Sequence, residues 1–217
     1  MAKRRGYRMC DDEEQQLTSI PIMISSGGND NSFMNPFASM PTDNHIYFYD
    51  DVETETILSL NKNIKELNTS LKKEFIKYDK DMDYRKIPIY LHINSFGGEL
   101  FSALSAVDTI INSECPVYTI IEGSAASAAT FISMVGKKRF ITKHSFMLIH
   151  QLQTGMWGKY EELKDEMENN EMFMNVIKNM YKEYTKLTDE QIESMLKKDI
   201  WFDASKSIEY GLVDEIL

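Results

Sequence analysis

Short apolar runs alternate with longer stretches of helical period through most of this chain, beginning at His45. Ile46-Tyr-Phe-Tyr is β-branched and aromatic and predicts a short strand. Asp50 and Asp51 suit a helix start. Apolar residues then recur at Val52, Ile57, Leu60, Ile64, Leu67 and Leu71, close to the helical period. This helix runs into a Lys/Asp-rich stretch over 72–86, read as a solvated face or loop. Buried strands are predicted over 87–94 and 116–123. Between them stand a Gly-Gly turn and a helix with the stripe Leu100, Leu104, Val107, Ile110 and Ile111. Strand, turn, helix, strand is the pattern of a parallel sheet, because parallel neighbours need a crossover.

A second such unit follows. Residues 127–135 are small and apolar, as a buried helix requires. Arg139-Phe-Ile-Thr and Ser145-Phe-Met-Leu-Ile-His predict strands. A long charged helix over 161–184 carries Leu163, Met167, Met172, Phe173, Val176, Ile177 and Met180. Thr188-Asp-Glu-Gln is a capping-box pattern and starts a helix reaching Leu196. Trp201-Phe is a short apolar stop, and a last helix over 204–210 is closed by Gly211. The fold class is α/β. Residues 1–44 differ from the rest, with Ser25-Ser-Gly-Gly-Asn-Asp-Asn-Ser and scattered Met and Pro; they read as a polar arm, flexible alone, ahead of one domain over 45–217.

The composition, 42% hydrophobic and 27% charged over 217 residues, is that of a soluble globular domain. The net charge of −10 repels phosphates and argues against a nucleic-acid partner. No apolar stretch reaches the roughly 20 residues a membrane helix needs, and the basic start is followed by Asp12-Glu-Glu, not by a signal's apolar core. Neither a membrane partner nor export is expected, and the cytoplasm is the expected location. Cys10 and Cys115 belong to no metal-ligand pattern and read as unpaired thiols, with no metal site and no bound cofactor implied.

Three places carry candidate chemistry. Asn94-Ser-Phe-Gly-Gly-Glu puts a double glycine directly after a strand, where the backbone can turn tightly and its N–H groups can hold an anion or simply make the turn. Glu122-Gly-Ser-Ala-Ala-Ser-Ala-Ala-Thr ends a strand at Gly123 and starts a helix near Ser127. A serine there suits an acyl-enzyme nucleophile, with the Ala128 N–H as oxyanion donor, or equally a helix cap. Ser124 is the competing serine. His150 closes the strand Phe146-Met-Leu-Ile, and strand ends are where sites in open sheets gather. His45, His92 and His144 fit a base less well. Because serine is hardly ionised at neutral pH it needs a base, and the base needs an acceptor. Asp199, between Lys197-Lys198 and Ile200-Trp201-Phe202, is a candidate, or a solvated loop residue.

Taken in order, Tyr90-Leu-His-Ile-Asn-Ser-Phe-Gly-Gly, Gly123-Ser-Ala-Ala-Ser-Ala-Ala, Met147-Leu-Ile-His-Gln, Asp199 and Ile208-Glu-Tyr-Gly-Leu-Val-Asp-Glu-Ile-Leu resemble the proteolytic subunit of the Clp protease family. The resemblance covers the chain from Ile87 on. It is weaker over 45–86 and absent over 1–44. It implies a spiral of β-β-α units with a protruding handle, here about 151–184, whose Met-rich stripe is read as an interface. It implies Ser127 as nucleophile, His150 as base and Asp199 as its orienting acid. Gly97 and Ala128 would supply the oxyanion N–H groups, and Gly98, Gln151 and Leu152 the substrate groove.

The implied activity is endopeptidase cleavage of unfolded polypeptides inside stacked seven-membered rings, a protein quality-control task fed by a separate AAA+ ATPase, ATP being used by that partner alone. Several positions depart from the family: Phe96 stands where proline is usual, Leu152 follows His-Gln where proline is common, Ala129-Thr130 replaces glycine-containing sequence, and 72–85 is an insertion. Three other readings of the same fold are a viral capsid-maturation (prohead) protease, a non-catalytic ring subunit, and a crotonase-like enzyme that needs no triad.

Overall fold

The computed structural model describes residues 44–78 and 83–217. The arm expected over 1–44 lies outside the described residues except for Asn44, as do residues 79–82 of the insertion. Strands β1 (His45–Phe48), β2 (Ile89–Ser95), β3 (Val117–Ala126), β4 (Lys138–Ile141) and β7 (Glu215–Ile216) lie side by side in that order, all parallel. β5 (Phe146–Ile149) pairs with the far end of β3, and β6 (Ile200–Asp203) runs antiparallel to β5. The helices are α1 (Thr54–Tyr78), α2 (Leu100–Ile111), α3 (Ala128–Met134), α4 (Tyr160–Tyr184), α5 (Asp189–Leu196) and α6 (Ala204–Glu209). The architecture is α/β around a mostly parallel sheet, as the alternating pattern predicted.

β2 is buried on both sides over most of its length, as a central parallel strand must be. α1 presents Ile57, Leu60, Ile64 and Leu71 to the core at helical spacing. Asn68 shares that face. Its amide donates to Ile64 O (2.9 Å), and its carbonyl accepts the Cys115 N–H (2.7 Å), tying α1 to the start of β3. The Cys115 thiol is fully buried and unpaired, and burial pushes its pKa up to about 11. It is a packing group with little nucleophilic character.

Three expectations change. Val52 precedes α1 and is not part of its stripe; it forms an isolated parallel bridge with Gly98. α1 continues to Tyr78, so the Lys/Asp-rich stretch is partly helix, because lysine is a good helix former on a solvated face. Ile111, assigned to the stripe of α2, is half exposed, and Ala103 and Ala106 take the inner positions. The stripe of α4, read as an interface, is left outward: the helix buries only Ile177, Met180 and Tyr181, all in its last third, while Met167 and Met172 are exposed. Its first three turns thus stand off the core of the single chain. The preceding residues 151–159 form neither strand nor helix.

Arg139 on β4 anchors the end of α4. Its guanidinium donates to Tyr184 O (2.6 Å) and to the Asp214 carboxylate (Nε–Oδ2 3.1 Å). That pairing holds the Asp214 carboxyl below its ordinary pKa. A depressed carboxylate adds stability that is complete above the ordinary carboxylate range and is lost as the pH falls through the lowered value. Asp214→Asn should therefore cost about 1 kcal/mol or less at neutral pH. Its acid-side melting curve should be flatter than the parent's, as thermal unfolding measured against pH will show.

Candidate active site

The site is built where β2 and β3 end. At the β2 end, Gly97 (φ 97°) and Gly98 (φ 148°) take backbone conformations that other residues avoid. Val52 clamps this turn from behind. Its N–H donates to Gly97 O, and its carbonyl accepts the Glu99 N–H, both at 2.7 Å. On the other side Gly97 presses against the turn that carries Ser127. A Cβ on Gly97 would stand 2.6 Å from Ala126 O, 2.8 Å from Ser127 Cβ and 2.9 Å from Ala128 N. The double glycine read in the sequence as a tight turn thus also lies close against Ser127 and Ala128. The Gly97 N–H meets Ser95 Oγ at 3.2 Å, a contact the sequence did not signal.

β3 does not stop at Gly123, as the sequence suggested; it continues to Ala126 through a bulge. Ile93 faces Ile121 and Ser95 faces Ala125, so β3 spends four steps where β2 spends two. Asn94 Oδ1 stitches the bulge by accepting both the N–H (3.1 Å) and the hydroxyl (3.0 Å) of Ser124. The competing serine is therefore committed to structure. The bend carries β3 from β4, which it pairs over Tyr118–Ile121, to β5, which it pairs over Ser124–Ala126. This brings the end of β3 beside the strand that leads to His150.

Ser127 follows directly, at the turn between β3 and α3. It is the only non-glycine residue with positive φ among the described residues, at φ 53° and ψ −125°. Such backbone costs about 1–3 kcal/mol and persists only where surroundings enforce it. Here the Ser127 N–H is held by Leu148 O on β5 (2.9 Å), and its carbonyl by the Thr130 N–H (3.0 Å). The Ser127 side chain caps nothing in α3.

His150 and Ser127 line the same open cavity of about 410 Å3, together with Phe96, Gly98, Glu99, Gln151, Leu152 and Ala128. Asp199 is exposed and not in that lining. Its relation to His150 comes from pairing: β5 and β6 are antiparallel with Ile149 opposite Ile200, so one further step sets His150 opposite Asp199. Among the described residues, Ser127, His150 and Asp199 have no hydrogen bonds between their side chains. The fold places Ser127 and His150 at one cavity, and the β5–β6 register sets Asp199 across from His150. Catalytic hydrogen bonds in unliganded sites are often long and close only with substrate.

Two features of the cavity rim were not anticipated. Phe96, which lines the cavity, meets Trp201 of β6 edge to face, ring centroids 6.2 Å apart. Trp201 had been read as a structural stop. Leu152 N–H is turned toward Met174 Sδ (3.3 Å), which ties the segment after His150 to α4. The other histidines lie elsewhere. His144 is exposed. His45 Nδ1 and His92 Nε2 are 2.7 Å apart on the far face of β1 and β2, and the Glu122 carboxylate is 3.0 Å from His92 Nδ1 but off the line of a hydrogen bond. Although burial works to raise it, the hydroxyl bond from Tyr49 and the neighbouring His92 hold the Glu122 carboxyl below its usual range. Among the described residues no group of three His, Cys, Asp or Glu is placed to hold a metal ion, and no helix is long and apolar enough to cross a membrane.

With this geometry in hand, the comparisons are consistent. The ATP-dependent Clp protease proteolytic subunit 1 of Mycobacterium leprae is 32% identical over 131 residues, 59% of this chain and 66% of that relative. The proteolytic subunit 2 of Treponema pallidum is 28% identical over 174 residues, 79% of this chain and 86% of that relative. The solved structure of a ClpP1 point mutant from Listeria monocytogenes superposes with a TM-score of 0.67 at 24% identity, covering 81% of this chain and 91% of that one, which supports the fold. The matched stretch thus spans just under two thirds of the Mycobacterium leprae subunit. The family model described as Clp protease matches residues 41–217. On that match, and on a fold shared with a solved member, the chain belongs to the Clp protease family.

Proposed function

We propose that this chain is a serine endopeptidase of the Clp type, with Ser127 as nucleophile, His150 as general base and Asp199 as the residue orienting it. The observation that carries the reading is the backbone of Ser127. A serine held at φ 53° on a strand-to-helix turn, with no capping duty, is strained for a reason other than folding. Its neighbours support acyl transfer. Ser127 Oγ attacks the scissile carbonyl while His150 takes its proton and then delivers it to the leaving amine; the acyl-enzyme is released by water activated the same way. The oxyanion is met by the Ala128 N–H and by the Gly97 N–H, which exchanges Ser95 Oγ for the substrate oxygen.

Gly98, Gln151 and Leu152 border the cavity and form the groove in which an extended, unfolded polypeptide adds as a strand. Apolar residues left exposed along α4 support self-association through the handle, with seven-membered rings stacked face to face as the proposed assembly. A separate ATPase unfolds and feeds the substrate. Relatives named as ATP-dependent Clp protease subunits support that division of labour.

The test is labelling of the assembled protein by a fluorophosphonate, which reacts only with an activated hydroxyl. Modification mapped to Ser127, and lost in His150→Ala, is the expected outcome. Labelling at Ser124, or unchanged labelling in His150→Ala, would overturn the assignment.

A further inference from the structure

Tyr181, on the part of α4 that reaches the core, is the largest fully buried side chain in the molecule's described residues, and its hydroxyl has one partner, Thr130 Oγ1 at 2.6 Å. Thr130 is fully buried as well. Its hydroxyl hydrogen is committed to the carbonyl of Ser127 at 2.6 Å, the same oxygen that accepts the Thr130 N–H. With that proton used, Tyr181 must be the donor to Thr130. The result is a one-directional chain from the α4 phenol through a threonine hydroxyl to the peptide of the strained residue. Burial pushes the Tyr181 phenol well above its ordinary pKa, so it remains a donor throughout the accessible pH range.

Two buried hydroxyls so close to a core of isoleucine and phenylalanine are costly unless each is satisfied. A core built only for stability has a cheaper solution in phenylalanine and alanine or valine. What the hydroxyls accomplish is local. The Ser127 carbonyl is one of the two groups that define its ψ of −125°, and it receives two hydrogen bonds from one residue. Phe131, next to Thr130 in sequence, packs on the Tyr181 ring with centroids 5.4 Å apart, so the phenol is fixed in direction as well as in depth.

We propose that Tyr181 and Thr130 are positioning residues that hold the Ser127 peptide in its strained conformation and so aim Ser127 Oγ at the substrate. The proposal rests on the reading of Ser127 as nucleophile. The pair touches neither substrate nor reacting atom; it acts through the Ser127 carbonyl and makes the docking of α4 a condition of nucleophile geometry.

The experiment compares the rate of fluorophosphonate labelling in the assembled parent, Tyr181→Phe, Thr130→Val, Thr130→Ser and the Tyr181→Phe/Thr130→Val double variant, each shown folded by its thermal melt. Tyr181→Phe keeps the ring and should label about threefold to tenfold more slowly, the weight of one neutral hydrogen bond. Thr130→Val should be at least as slow, Thr130→Ser should recover the parent rate, and the double variant should be no slower than Thr130→Val, since both hydroxyls act in one chain. Parent-like labelling in both Tyr181→Phe and Thr130→Val overturns this proposal while leaving the nucleophile assignment standing, as does a double variant whose loss is the product of the two singles. Absence of labelling at Ser127 in the parent overturns both.

Discussion

Ser127→Ala should reduce peptide cleavage by at least about a thousandfold, because no other group in the cavity replaces a hydroxyl nucleophile. Its melting temperature should hardly move, since the serine side chain caps no helix and alanine meets the same backbone strain. Ser127→Gly should be equally inactive and more stable than the parent, by about 1 kcal/mol, because glycine occupies φ 53° without a steric penalty. Kinetics on an unstructured fluorogenic peptide, paired with thermal melts of both variants, separates these effects. Ser124→Ala is the control. It loses a bond to Asn94 that stitches the bulge and should stay active. Cleavage by Ser127→Ala at the parent rate would place the nucleophile elsewhere, and a Ser127→Gly variant less stable than Ser127→Ala would show that the turn is not strained.

Gly97→Ala should lose about a hundredfold or more in kcat/KM and about 1–3 kcal/mol in stability. The new methyl would meet two backbone atoms, Ala126 O at 2.6 Å and Ala128 N at 2.9 Å, and the Ser127 Cβ at 2.8 Å, none of which can rotate aside as a long side chain can. Relief requires the glycine turn to move away from Ser127, which separates the Gly97 and Ala128 N–H groups proposed to meet the oxyanion. Val52 opposes that movement from the other side through its two hydrogen bonds to the turn. Gly155→Ala is the neutral comparison, since a methyl there meets nothing within 4 Å. Parent-like activity in a folded Gly97→Ala would remove Gly97 from the oxyanion site.

Much of the architecture was legible because burial on a two-sided sheet imposes visible periods. The runs that became β2 and β3, the Thr188 capping box and Gly211 at the end of α6 are local signals, each decided by residues within a few positions of it. Readings failed where a residue's partner is remote. Val52 has the spacing of a helix residue, yet its backbone belongs to the glycine turn 45 positions on. Gly123 looked like a strand end, because a bulge is visible only against the strand it slips along. The stripe of α4 was read as an interface, and Met167 and Met172 are indeed exposed in the single chain, but which surface would cover them is not encoded in its period.

By itself the sequence determined the α/β alternation, the strand-end positions of the candidate chemistry, the acidic charge, and the motifs through which the chain resembles its family. It did so because secondary structure and turn chemistry depend on near neighbours. Only the tertiary structure decided that Gly97 lies against Ser127, that Asn94 claims Ser124, that His150 and Asp199 fall opposite each other across β5 and β6, and that a tyrosine on α4 is linked through Thr130 to the Ser127 peptide. Those relations join segments tens of residues apart, and they exist because a packed sheet brings strand ends together in an order the chain does not spell out.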